Sequence, residues 1–150
     1  MPDVFHLTAL DTYDKYGKLL DLSIYQGVKK SFVIYYPDKD LRGYILTGHI
    51  RKNYADNTDT ILTSFNFLNV TYGNINANEG FFSLVTPYLN PSQTQSLPVT
   101  KNRTNSSDRI LVGSNVYVYD IEAKNPNNAE DIIKLIYPSY IEVRPEVTRL

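Results

Sequence analysis

Apolar and polar residues alternate with a period of two along most of the chain, the pattern of strands whose successive side chains point to opposite faces of a sheet. Leu20, Leu22 and Ile24 alternate with Asp21, Ser23 and Tyr25 until Gly27, and Phe32, Ile34 and Tyr36 alternate as far as Pro37. The spacing and the glycine predict two strands joined by a short turn. Alternation resumes in Tyr44–Lys52, Ile61–Thr71 and Gly80–Val85, and Ile110–Glu122 with Ile132–Val143 supplies a last pair. About seven strands at such intervals predict an all-β sandwich or barrel. One segment departs from the period: Asn90–Pro98 has a polar start, room for about one helical turn, and a proline that ends it. The polar tract Lys101–Asp108 that follows predicts an exposed loop insertion between Val99 and Asn115.

The run Val116-Tyr117-Val118-Tyr119-Asp120-Ile121-Glu122 places Tyr117, Tyr119 and Ile121 on one face and Val116, Val118 and Asp120 on the other. Both faces are apolar up to Asp120, as a central strand covered on both sides requires. Asp120 and Glu122 then mark a wet or interfacial face rather than a reacting pair. At the amino end, Phe5, Leu7 and Ala9 alternate with His6 and Thr8 before a polar break over Asp11–Lys18. Residues 1–18 are therefore an arm or an added strand, and residues 19–150 the sandwich; an edge strand of the chain's own sandwich and an arm laid on a neighbour both fit.

Composition sharpens this picture. Thirteen tyrosines, no tryptophan and a single methionine among 150 residues favour pleated surfaces over helices. There is no cysteine, which removes disulfides, thiolate metal sites and cysteine nucleophiles. A net charge of −1 with no basic run beyond Lys29-Lys30 leaves nucleic acid without an electrostatic footprint. No apolar run approaches a membrane span, and the first fifteen residues lack the basic start and apolar core of a secretory signal. The glycan-acceptor triplets at Asn69, Asn102 and Asn105 are then plain polar positions.

Candidate chemistry is thin. His6 and His49 are the two histidines, and no strand-to-helix serine elbow accompanies them. Asp38-Lys39-Asp40 and Asp56–Asp59 offer oxygen ligands without a full calcium loop. Gly43, Gly48, Gly73, Gly80 and Gly113 scatter to strand ends and turns instead of forming a phosphate cradle. No catalytic, cofactor-binding or metal-binding residues are assigned, and the chain is expected not to be an enzyme.

The stretch from the helical turn through Gly113 to Tyr117 and Tyr119 resembles the corner leading into the sixth strand of an immunoglobulin-like sandwich, where a tyrosine closes the corner by hydrogen bonding. A broader resemblance covers Leu20 to Arg149. Asp21-Leu22-Ser23-Ile24 with Gly27 and Phe32, Asp40-Leu41-Arg42-Gly43-Tyr44, Gly48–Tyr54, Gln93-Thr94 with Leu97-Pro98, Tyr117–Glu122 and Val143–Arg149 together are similar to a family of small virion structural proteins of tailed bacteriophages, common among those infecting cyanobacteria. The resemblance implies an immunoglobulin-like antiparallel β-sandwich in a virion, made in the host cytoplasm and associated with the tail or baseplate. Its implied partners are other phage structural proteins, with homo-oligomers in the particle admitted and neither nucleic acid nor membrane expected. A capsid-decoration or neck protein is the neighbouring alternative, and a carbohydrate- or receptor-binding module the alternative of another class. The first eighteen or so residues and the Val99–Gly113 loop depart from the family pattern. Pro145 must end the last strand, and the tail beyond it matches the family's ending. Arg144 and Arg149 are expected to bind carboxylates of a neighbouring subunit with Val147 packed beside them, and Phe5 and Leu7 to make contacts from the arm.

Overall fold

The computed structural model describes residues 19–52, 61–74, 80–99 and 115–145, together with the backbone of residues 3–6. The strands are β1 (Asp3–His6), β2 (Leu22–Tyr25), β3 (Lys30–Pro37), β4 (Ile45–Arg51), β5 (Thr63–Ser64), β6 (Asn66–Phe67), β7 (Thr71–Gly73), β8 (Phe82–Val85), β9 (Pro87–Leu89), β10 (Asn115–Lys124) and β11 (Ile132–Arg144), with helix α1 (Pro91–Ser96) between β9 and β10. They form two sheets packed as a sandwich. One runs β2-β11-β10-β4-β5, and the other is built on β3, with β1 on one edge and β8, β9 on the opposite edge followed by β6, β7.

Register shows that several segments are single passages of chain. Ile34 faces Val85 and Lys30 faces Leu89, so β8 and β9 are one strand interrupted at Thr86. Likewise β5 pairs with β4, and the same run then crosses to the other sheet, where β6 and β7 pair with β9 and β8. Among the described residues, eleven segments therefore make eight passages, and seven without β1, as the alternation requires. Most pairs are antiparallel; β1 with β3 and β2 with β11 are parallel.

The turn between β2 and β3 does not make the expected hairpin. Gly27 adopts φ +78° and Val28 N–H donates to the Tyr25 carbonyl at 3.2 Å, but the chain crosses the sandwich, leaving β2 beside β11 and β3 in the other sheet. Alternation reports the face of a residue and not the partner of its strand. Similarly, Ile61–Thr71 is not one paired strand, and the run beginning at Gly80 continues past Val85 into β9. The expected strand from Ile110 starts, in the described residues, at Asn115.

β10 lies at the centre of its sheet between β11 and β4. Tyr117, Tyr119 and Ile121 point into the core with Ile50, Leu135 and Val143. Val118 is buried on the outer face while Val116 is 44% exposed, so that face is closed over only part of the strand. Tyr117 Oη donates to the Pro98 carbonyl at 2.6 Å and Tyr119 Oη to that of Leu20. These bonds tie β10 to the chain leaving α1 and to the segment entering β2. Helix α1 is fixed by a reciprocal cap: Asn90 Oδ1 accepts from Gln93 N–H and Gln93 Oε1 from Asn90 N–H. Gln93 also donates to the Ser64 carbonyl at 2.7 Å and accepts from Asn66 at 2.6 Å. It holds the run from Thr63 to Phe67 where that run changes sheets.

Candidate functional site

Four places bring polar or reactive groups together. On the outer face of the five-stranded sheet, register sets Asp120 opposite His49 and Glu122 opposite Lys134. Lys134 Nζ donates to Asp120 at 2.9 Å and to Glu122 at 3.2 Å. Partial burial works against the lysine's charge, and the two carboxylates outweigh it, leaving its pKa above the ordinary value. The acids of the Val116–Glu122 run thus sit on the wet side of a central strand in a cation-bridged cluster.

Beside them His49 Nδ1 lies 3.0 Å from Ser64 Oγ, above a cleft of about 110 Å³ lined by Arg51, Val118, Asp120 and Pro138. A serine nucleophile needs a base that a third group orients. Asp120, the cross-strand neighbour of His49, instead directs Oδ2 to Lys134. Among the described residues, no third group is bonded to His49 to orient its contact with Ser64.

The second place is the end of β11. Arg144 closes the strand ahead of Pro145, as expected, but its Nε donates to Glu142 Oε1 of the same chain at 3.0 Å and its guanidinium lies 5.8 Å from the Tyr25 ring centre. Part of its fork is thus already engaged within the sheet. Glu142 Oε2 is buried without a hydrogen-bond partner among the described residues. Around this pair on the outer face, Tyr25, Val116 and Tyr140 are each close to half exposed. Among the other expected contact residues, Phe5 lies in β1 with its backbone opposite Ile34; Leu7, Val147 and Arg149 lie outside the described residues. So do Asp56–Asp59, Gly113 and the Lys101–Asp108 tract.

A third cluster, without a periodic signal in the sequence, joins two loops at one end of the sandwich. Asp131 accepts from Tyr44 Oη at 2.5 Å, Asn125 Nδ2 at 3.1 Å and Lys39 Nζ at 3.3 Å. Tyr44, then Asn125 and Lys39, hold its carboxyl below the ordinary value of 3.8. A depressed carboxyl contributes stability above its unfolded pKa and loses it as pH falls through the folded one. Asp131→Asn is therefore expected to lower the melting temperature at neutral pH and to flatten its decline below about pH 4. Parallel melting curves of the two proteins through the acid range would contradict this. Nearby, Arg42 donates from Nε to Asp40 Oδ1 at 2.9 Å and from Nη2 to Oδ2 at 2.7 Å, so Asp40 acts within the turn. Among the described residues no group of three or more His, Cys, Asp or Glu is placed to hold a metal ion, and no helix is long and apolar enough to cross a membrane.

The fourth place follows from the change of sheets. Phe65 N–H donates to the Gly48 carbonyl at 2.8 Å, the last bond between β4 and the departing chain, and Leu68 N–H already donates to Thr86 of the other sheet at 3.1 Å. Past that bond the edges diverge around an open groove of about 730 Å³, floored by Leu46, Phe67 and Val70 and flanked by Tyr44, Asn69 and Tyr88. Gly48 was expected at a strand end; it lies inside β4, where the close approach of Phe65 explains it. No family model, curated protein or solved structure matches this chain.

Proposed function

We propose that the chain is a non-enzymatic structural component of a tailed-phage particle, associated with the tail or baseplate and assembled through protein–protein contacts. The observation that carries the assembly reading is the cluster of Tyr25, Val116 and Tyr140 on one outer sheet face, each close to half exposed, beside β2, whose far edge has no strand partner among the described residues. Aromatic and aliphatic anchors beside an unpaired edge form a surface suited to a neighbouring subunit. The phage context rests on the sequence resemblance. Its quoted strings supply the sandwich's fixed points: Gly43 with φ +87° in the turn before β4, Gly48 under Phe65, Thr94 and Leu97 buried at α1, and Tyr117 and Tyr119 in the core.

The test is a double variant, Val116→Lys with Tyr140→Glu. Both positions face outward, so the melting curve of the free chain should shift by no more than about 0.5 kcal/mol per site. Occupancy of the protein in purified particles should fall. Full occupancy by the double variant would remove this face from the assembly.

A further inference from the structure

The groove at the sheet change is bounded by two strand edges whose backbone groups point into it. In an antiparallel ladder alternate residues direct N–H and C=O to the same side. Gly48 bonds Phe65 across the β4 edge, so Leu46, two residues earlier, directs its backbone to that same edge, where β4 has no strand partner below His49 among the described residues. On the other strand Leu68 N–H bonds Thr86, so Phe67 directs its backbone away from β9. Had the chain kept its register, Phe67 and Leu46 would have been the next bonded pair after Phe65 and Gly48. They are instead the facing lips of the groove, and their side chains join Val70 against the core as its floor.

We propose that this groove binds an extended segment of a neighbouring protein subunit, inserted as a strand between β4 and the run from Asn66 to Val70. Main-chain groups of the segment bond Leu46 on one side and Phe67 on the other, and its inward side chains, apolar and of moderate size, cover the exposed floor. Two backbone edges that are unpaired among the described residues, with Leu46, Phe67 and Val70 on the floor between them, are complementary to an extended peptide. Of the polar side chains at the groove, Tyr44 is bonded to Asp131, Asn66 to Gln93 and Arg42 to Asp40, which leaves Asn69 and Tyr88 as the polar groups a saccharide would have to use. Exposed Leu68 stands at the mouth and packs on the entering chain. The inference names a second contact surface, apart from the Tyr25, Val116 and Tyr140 face, for the assembly proposed above and rests on that reading, but its test is made in solution without particles, so either can fail alone.

The probe is a capped heptapeptide of alternating threonine and valine, about the length of an ordinary strand, added at millimolar concentration to the isotope-labelled chain. In the free protein the Leu46 and Phe67 amides should exchange hydrogen rapidly, while those of Thr47 and Leu68, bonded to neighbouring strands, are protected. Peptide should shift the Leu46 and Phe67 amide resonances and slow their exchange about tenfold or more. Leu68→Glu, a change at an exposed position, should abolish both effects while leaving the melting curve in place. Unperturbed Leu46 and Phe67 amides at the highest peptide concentration overturn the proposal. So does protection of both amides in the free protein, or a response to a linear glucan pentasaccharide with none to the peptide, which would make the groove a glycan site.

Discussion

Truncation of Tyr119 to alanine is expected to destabilise the protein by about 3–5 kcal/mol, the range for deleting a buried aromatic ring. The residue sits in the middle of β10 with 2% of its surface exposed, its ring centre 5.5 Å from that of Phe65, and burial raises its phenol pKa far above the ordinary value. It is therefore a neutral hydrogen-bond donor at every pH of interest. That hydroxyl reaches the Leu20 carbonyl, so the side chain both fills the core and anchors the segment entering β2. Tyr119→Phe isolates the second role and should cost about 1 kcal/mol. Thermal melting separates the cases: a fall on the order of 10 °C for alanine and a few degrees for phenylalanine. An unchanged melting temperature for Tyr119→Ala would mean that β10 is not the central strand.

The second large effect is expected at Gly48. A Cβ there would stand 3.1 Å from Ile121 Cγ1, 3.1 Å from Phe65 Cδ2 and 3.2 Å from the Asp120 carbonyl oxygen. The missing side chain is what lets Phe65 lie over β4, edge-on to Phe32 with ring centres 6.2 Å apart and against Tyr119. Valine would force branched methyls into this closed space, at about 1–3 kcal/mol for overpacking. It would also displace Phe65, the residue at which the chain changes sheets. Alanine asks Ile121, Phe65 and the Asp120 carbonyl each to give by a few tenths of an ångström and should cost less than valine. Equal denaturant midpoints for wild type and Gly48→Val would show that the contact of Phe65 with β4 is looser than the geometry implies.

The two positions mark how far the fold could be read from sequence. Tyr119 was legible: alternation with Tyr117 and Ile121 gives its face, and the apolar Val118 between them gives a central strand. The helical turn in Asn90–Pro98 was legible from a polar start and a proline stop, though its reciprocal cap at Asn90 was not read. The role of Gly48 was not, because a glycine inside an alternating run shows that something comes close without naming what. Phe65 comes from a run whose alternation is preserved while its hydrogen-bond partner changes from β4 to β9, and side-chain period carries no record of that exchange. For the same reason β2 and β3 resembled a hairpin though they lie in different sheets. The Asp131 cluster was invisible because its members come from two loops, far apart in sequence, that the pairing of β4 with β10 brings side by side. Arg144 was expected to meet a neighbouring subunit; its bond to Glu142 two positions earlier was not foreseen, because it depends on both side chains lying on one outer face.

Quantitative mass spectrometry of purified phage particles, separated into heads and tails, tests the proposed role most directly. The account requires peptides of this chain in the tail fraction, in a fixed ratio to the other tail proteins and retained through washing that strips loosely bound host proteins. Recovery of the chain only from the soluble lysate, with none in intact particles or in either fraction, would contradict it.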